Sequence, residues 1–213
     1  MKVLPFTMLV PDDKSVISEH IELPYFYQYL HRHDEWQITW VQRGEGTLIA
    51  GNDMHAFRSG DIFLIGAKLP HLFKSNPEYF VGNENKTIKA CSIYFNSNGI
   101  LSALFNLPEM KMANSFLTRH KHGFKIKPDF TKEIAKKMLA VHEASGEDVL
   151  FNFLKLMRSL QDLEENVDPL CSDMYSSNVT ENEGMRLSKI INFITENYNN
   201  QITLEDVAAV HPF

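Results

Sequence analysis

The chain has 213 residues, enough for one good domain plus a smaller second piece. Hydrophobic residues make up 44% and charged residues 23%, the balance of an ordinary globular protein rather than a disordered or fibrous one. A formal net charge of −6 is the wrong sign for a dedicated nucleic-acid surface and leaves room only for a local basic patch.

The N-terminus, MKVLPFTMLVPDD, carries one lysine and a short apolar run interrupted by Pro5, a poor signal peptide. No run approaches the ~20 apolar residues that a membrane-crossing helix needs. Cys91 and Cys171 lie far apart and in no metal-binding spacing, which predicts two reduced thiols. These features together predict a cytoplasmic protein without membrane contact. Met8–Val10 and Tyr25–Leu30 read as strands. Tyr25, Phe26, Tyr27 and Tyr29 either line a pocket or fill a wall, and at least two of them are expected to fill the wall.

The stretch from Leu30 to Ser75 carries the chemistry. Strand-like runs at Trp36–Val41, Thr47–Ala50, Met54–Phe57 and Ile62–Ile65 alternate with turns at Arg43–Gly46, Gly51–Asp53 and Ser59–Asp61. His31 and His33 are one residue apart, and His71 follows Pro70. In an extended strand, side chains at i and i+2 share a face. His31, His33, Glu35 and Gln37 are therefore expected on one face, and Trp36, Ile38 and Trp40 on the other. A polar row backed by an apolar one suits a small barrel that binds something polar. His31, His33 and Gln37 on that shared face, with His71 added by the resemblance given below, form the candidate effector site, since neutral His and Gln both donate and accept hydrogen bonds. His31, His33 and His71 also make a candidate metal set. Metal enzymes of this type want a carboxylate as well. Gln37 is a poorer match, and Glu35 could substitute only if its register holds.

Thr87–Phe95 alternates and reads as the strand that closes the barrel. Ile100–Phe105 and Pro108–Thr118 are less regular. His120 and His122, flanked by Arg119 and Lys121, read as surface histidines. Gly123–Lys127 reads as a last strand. From Thr131 the period becomes helical, with Ile134, Met138 and Val141 inward. A second helix spans Glu147 to Glu164, where Val149, Phe153, Leu156, Leu160 and Leu163 form a stripe that Leu150, Leu154 and Met157 widen. That stripe could pack on the barrel, on a partner, or on both. Glu165–Gly184 has no period and reads as a linker. Met185–Tyr198 is an amphipathic helix with Leu187, Ile190, Ile191 and Ile194 on one face. After a turn at Asn199–Gln201, Thr203 caps a further helix with Asp206 three residues on.

Two family resemblances rest on these residues. His31-Arg32-His33, Gln37 and Gly44, followed by Gly60-Asp61 through Pro70-His71, resemble the two motifs of a cupin barrel. Gln37 departs from the glutamate usual in metal cupins, and Ser75, with Asn76 beside it, departs from an expected asparagine. Ile190, Ile194, Tyr198 and Ile202 through Ala208 resemble the start of an AraC-family DNA-binding domain. The combined resemblance implies a mainly β fold with helices: a cupin-type jelly-roll barrel over 1–128, a helical dimerisation segment over 129–164, a linker over 165–184, and an incomplete helix-turn-helix over 185–213. It implies a transcriptional regulator, not an enzyme, that takes a small effector such as a sugar or an organic acid and needs no cofactor. It also favours a homodimer, with Val149, Phe153, Leu156 and Leu160 as the seam. The recognition helix of the family lies beyond Val210. DNA binding is therefore expected of a full-length version and of no residue here, and truncation or frame-shift is the expected origin. The alternative is a metal-dependent cupin enzyme, a dioxygenase or isomerase, with a divalent metal at His31, His33 and His71.

Overall fold

The computed structural model describes residues 4–5, 14–80, 86–163, 165–172, 190, 193–194, 197 and 201–209. Among the described residues, eleven strands and four main helices make up the part before residue 172: β1 (Leu4–Pro5), β2 (Val16–Leu23), β3 (His31–Arg32), β4 (Trp36–Arg43), β5 (Gly46–Ala50), β6 (Asp53–Phe57), β7 (Ile62–Ile65), β8 (His71–Ser75), β9 (Ile88–Phe95), α1 (Ser102–Phe105), α2 (Lys111–Arg119), β10 (Gly123–Ile126), α3 (Pro128–His142), α4 (Glu147–Gln161) and β11 (Val167–Pro169). A short helix, Leu204–Ala209, follows further on. Among the described residues, no helix is long and apolar enough to cross a membrane.

The strands form two sheets. One is five-stranded in the order β1-β3-β8-β5-β6, and the other six-stranded in the order β11-β10-β7-β4-β9-β2. Pairing is antiparallel except between β1 and β3. Both sheets keep open edges, so the barrel of the sequence reading is a jelly-roll-like sandwich and not a closed cylinder.

Alternation along each strand separates two cores. Between the sheets lie Val41, Leu48, Ala50, Phe57, Phe63, Ile65, Phe73, Ile88 and Ala90. The opposite side chains of the six-stranded sheet, Trp36, Ile38, Ile62, Leu64, Cys91, Ile93 and Phe95, meet the helices. Covered on both faces, β7 is buried at every position, which explains its unbroken IFLI run.

The helices differ from expectation in one consequential way. Pro128 starts α3, three residues before the helical period is visible, because proline suits the first helical position. In α4, however, Phe153, Leu156 and Leu160 are buried within their own chain, in the core that includes Phe95 and Phe116, and Val149 packs against the same core. The stripe read as a dimer seam is thus an intrachain core stripe. The helices α2 and α3 together with the outer side of the six-stranded sheet cover its central residues.

Three further expectations change. Tyr25–Leu30 is not a strand; only the two residues of β3 pair, and of the four aromatics only Phe26 is buried, against Phe57 and Phe73. Residues 165–172, read as the start of a linker, are built into the domain: β11 pairs with β10, and Leu170 and Cys171 are buried between the sheets. His120 is half-buried, its ring against Phe116 and Phe124. The capping expectation is met: the Asp206 carboxylate accepts from Thr203 N–H at 2.9 Å and from its hydroxyl at 2.8 Å, and Asp206 N–H donates back to Thr203 Oγ1 at 3.2 Å. Met8–Val10 lies outside the described residues, as does most of Met185–Tyr198.

Candidate functional site

The site sits where the two sheets approach each other. His31 on β3 and His71 on β8 are directly paired across the five-stranded sheet. Gln37 enters from β4 of the opposite sheet. His33 comes from the turn joining β3 to β4. All four expected residues meet: ring centroids are 4.4 Å apart for His31 and His71, 5.1 Å for His33 and His71, and 6.1 Å for His31 and His33. One ring nitrogen from each histidine lies within 4.8 Å of the others.

Glu35 does not join them. The chain turns at 33–35, so the alternation that puts Glu35 on the histidine face fails there. Its backbone carbonyl accepts from His33 Nδ1 at 2.9 Å, and its carboxylate stands 3.6 Å from that same nitrogen, on the far side of the ring.

The hydrogen bonds fix the chemistry of the rings. Nδ1 of His31 faces the carbonyl of Tyr29 at 2.9 Å, Nδ1 of His33 that of Glu35 at 2.9 Å, and Nδ1 of His71 that of Leu69 at 2.8 Å. A carbonyl oxygen only accepts, so each Nδ1 carries the proton. In a neutral imidazole the remaining nitrogen, Nε2, then carries the lone pair. Nε2 of His33 and Nε2 of His71 each lie 3.0 Å from Gln37 Oε1. Behind the amide a chain runs on: Gln37 Nε2 donates to Thr39 Oγ1 at 2.7 Å, and Thr39 Oγ1 is 2.9 Å from Ser92 Oγ.

Burial keeps His31 and His71 neutral. It lowers His31 to about 4, opposed by the Tyr29 carbonyl and reinforced by the neighbouring His33. It holds His71 well below the usual histidine range, with the charges of His31 and His33 acting in the same direction. A depressed histidine stabilises the fold above its unfolded pKa and loses that contribution as pH falls through the folded one. Melting temperature is therefore expected to drop as pH goes from about 6.5 toward 4, with each histidine removing up to about 1.4 kcal/mol for every pH unit crossed. His31→Gln should flatten part of that slope when melts are compared across this range.

His71 is 1% exposed and His33 and Gln37 6% each, while His31 is only half-buried. The Tyr27 ring stands edge-on to His31 at 5.4 Å and 5.2 Å from the Tyr29 ring, and both tyrosines are exposed. Among the described residues, the cluster is therefore most exposed at His31, beside the two tyrosines. The sequence reading missed Thr39 and Ser92. Thr39 could have been found two residues beyond Gln37 on the same face; Ser92 depends on the β4–β9 register that sets it opposite Thr39.

The donors fit a transition-metal ion. Three lone pairs of neutral imidazoles and one amide oxygen converge, and backbone carbonyls fix each ring's tautomer, the usual outer support of a metal-binding histidine. The Gln37 amide sits against both Nε2 atoms and can present its oxygen beside a bound cation or its NH2 to the two lone pairs. A bound ion would supply a concentrated positive charge at this point.

A jelly-roll sandwich with a polar cluster opening to solvent at one side defines a small-ligand-binding domain. The chain belongs to the AraC-like ligand binding domain family, whose model matches residues 16–163. This membership places it among sensor domains and sets aside the enzyme alternative. Comparison with curated proteins gives no match. Among solved structures the chain is similar to ToxT from Vibrio cholerae O395 bound to (E)-4-(8-methylnaphthalen-1-yl)but-3-enoic acid, at 12% identity and a TM-score of 0.42, covering 92% of this chain and 71% of that one. It is similar to unsaturated fatty acid bound wild-type ToxT from Vibrio cholerae strain SCE256 at 13% identity and 0.43, covering 94% and 70%. It is also similar to the AraC-like transcriptional activator CuxR at 10% identity and 0.44, covering 83% and 56%.

Proposed function

We propose that this chain is the ligand-sensing part of an AraC-type transcriptional regulator and that His31, His33, His71 and Gln37 are its effector site. The observation that carries the reading is the convergence of three tautomer-fixed imidazoles and an amide on one point, reachable from the His31 side. Three imidazoles and an amide gathered on one point offer a polar ligand or an ion several directed partners at once. DNA contact, in this reading, belongs to the helix-turn-helix that the capped helix Leu204–Ala209 begins.

A divalent ion as all or part of the effector is favoured by a separate observation. One nitrogen from each ring lies within 4.8 Å of the others, close to the spacing that an ion at about 2.0–2.1 Å from each nitrogen requires. A thermal-shift screen of sugars, organic acids and divalent ions tests both readings. At least one class is expected to raise the melting temperature by several degrees, and His33→Ala and His71→Ala are expected to remove that shift. Shifts that survive both substitutions would put the effector elsewhere.

A further inference from the structure

We infer that the effector is a small carboxylate, held by the protein through a divalent transition-metal ion at His31, His33, His71 and Gln37. The inference rests on the reading of the cluster as an ion site and concerns what that ion must recruit. Its basis is the charge of the donor set. Among the described residues, the side chains grouped within metal-binding distance are three histidines, with no carboxylate or thiolate. The oxygen that completes the set, Gln37 Oε1, belongs to a neutral amide. A dication held there keeps both charges.

Among the described residues, the side chains that support the set do not neutralise it. Gln37 leans on Thr39 and Ser92, both neutral, and all three are buried. The Glu35 carboxylate lies on the Nδ1 side of His33, separated from the Nε2 side by the ring. A dication in a poorly solvated site without a counter-charge is costly, and the cost falls when an anion enters with it. The half-buried His31 marks the side from which the anion arrives. Tyr27 and Tyr29, exposed beside His31, offer aromatic faces to an organic body and hydroxyls to its polar end. A glutamate in place of Gln37 would supply the missing charge from within; the amide leaves that task to the ligand.

Coupling of this kind is reciprocal: the anion tightens the metal by the factor by which the metal tightens the anion. The test uses the full chain, stripped with chelator, with Co2+ as the probe and its visible absorption as the readout. Co2+ affinity is compared in acetate against acetamide and in benzoate against benzamide, pairs of related size that differ in charge. Each carboxylate is expected to tighten Co2+ binding at least tenfold over its amide. Gln37→Glu is expected to bind Co2+ tightly without carboxylate and to bring the ratio close to one. Equal Co2+ affinity within both pairs for the unaltered chain would overturn the inference, and so would a Gln37→Glu chain that keeps the tenfold ratio. If Gln37→Glu does not fold, the unaltered chain still decides. Absence of Co2+ binding also overturns it. In that case a shift of the metal-free protein by an organic ligand, lost in His71→Ala, would leave the sensor reading standing.

Discussion

Phe153→Asp is expected to abolish the cooperative thermal transition, while Phe151→Asp should melt within a few degrees of the unaltered chain. The two residues are two positions apart on α4, and that spacing puts them on different sides of the helix. Phe153 is 0% exposed, its ring 4.9 Å from that of Phe95, which in turn stacks with Trp36 and Phe105. Removing a buried phenyl ring alone costs about 3–5 kcal/mol. An aspartate adds the cost of a carboxylate with no partner in an apolar core. Together these approach the whole stability of a typical domain, about 5–15 kcal/mol. Phe151 is 57% exposed on the outward flank of α4, so a charge there stays in water. If a second copy docks on this helix, it meets that flank and not the stripe of Phe153, Leu156 and Leu160. Circular-dichroism melts separate the two variants, and light scattering of the Phe151 variant reads the oligomer.

Gly123→Ala is expected to lower the melting temperature by about 10 °C or more. Gly123 has φ +86°, and a Cβ built on it would lie 2.0 Å from the Leu64 carbonyl oxygen and 3.0 Å from Ile65 Cα. Both are backbone atoms of the paired strand β7, so no side chain can swing aside. Left-handed backbone costs an L-residue roughly 1–2 kcal/mol, and separating β10 from β7 adds several more. A chain of this size loses about 2–4 °C per kcal/mol. Gly60→Ala is the control: φ is +97°, but nothing lies within 4 Å of the new Cβ, so only the backbone strain applies. Differential scanning calorimetry of the two variants would show a large drop for the first and a small one for the second.

Much of the sheet architecture could be read from alternation alone. The runs at Trp36–Val41 and Ile62–Ile65 became β4 and β7, and His31, His33, Gln37 and His71 do come together, although His33 does so from a turn and His71 was expected only from the resemblance. The rule failed at Glu35 because it presumes an unbroken strand, and the turn at 33–35 resets the faces. The α4 stripe was visible, but what it covers was not. Periodicity gives the width of an apolar face and says nothing of the partner, which here includes α3, α2, β2 and the Phe95 ring of β9. Leu170 and Cys171 gave no signal, since two buried residues after a three-residue strand make no period. The pinning of each Nδ1 by a nearby carbonyl depends on local backbone geometry that composition does not carry.

The stretch from 165 to 172 has a bearing on solubility. β10 is bonded to β7 on one side and to β11 on the other, with Lys127 N–H donating to the Asn166 carbonyl and Leu170 N–H to that of Gly123, each at 3.2 Å. Without β11, that flank of β10 would present a row of bare N–H and C=O groups, a template on which another molecule could add a strand. A chain severed at Leu163, where the family match ends, would keep every histidine of the site. It would nonetheless lose the edge guard, together with the Leu170 and Cys171 side chains that fill the gap behind it. What this stretch supplies is a shorter edge, three residues ending in Pro169, in place of β10, a form of edge that limits strand addition independently of whatever the histidines bind.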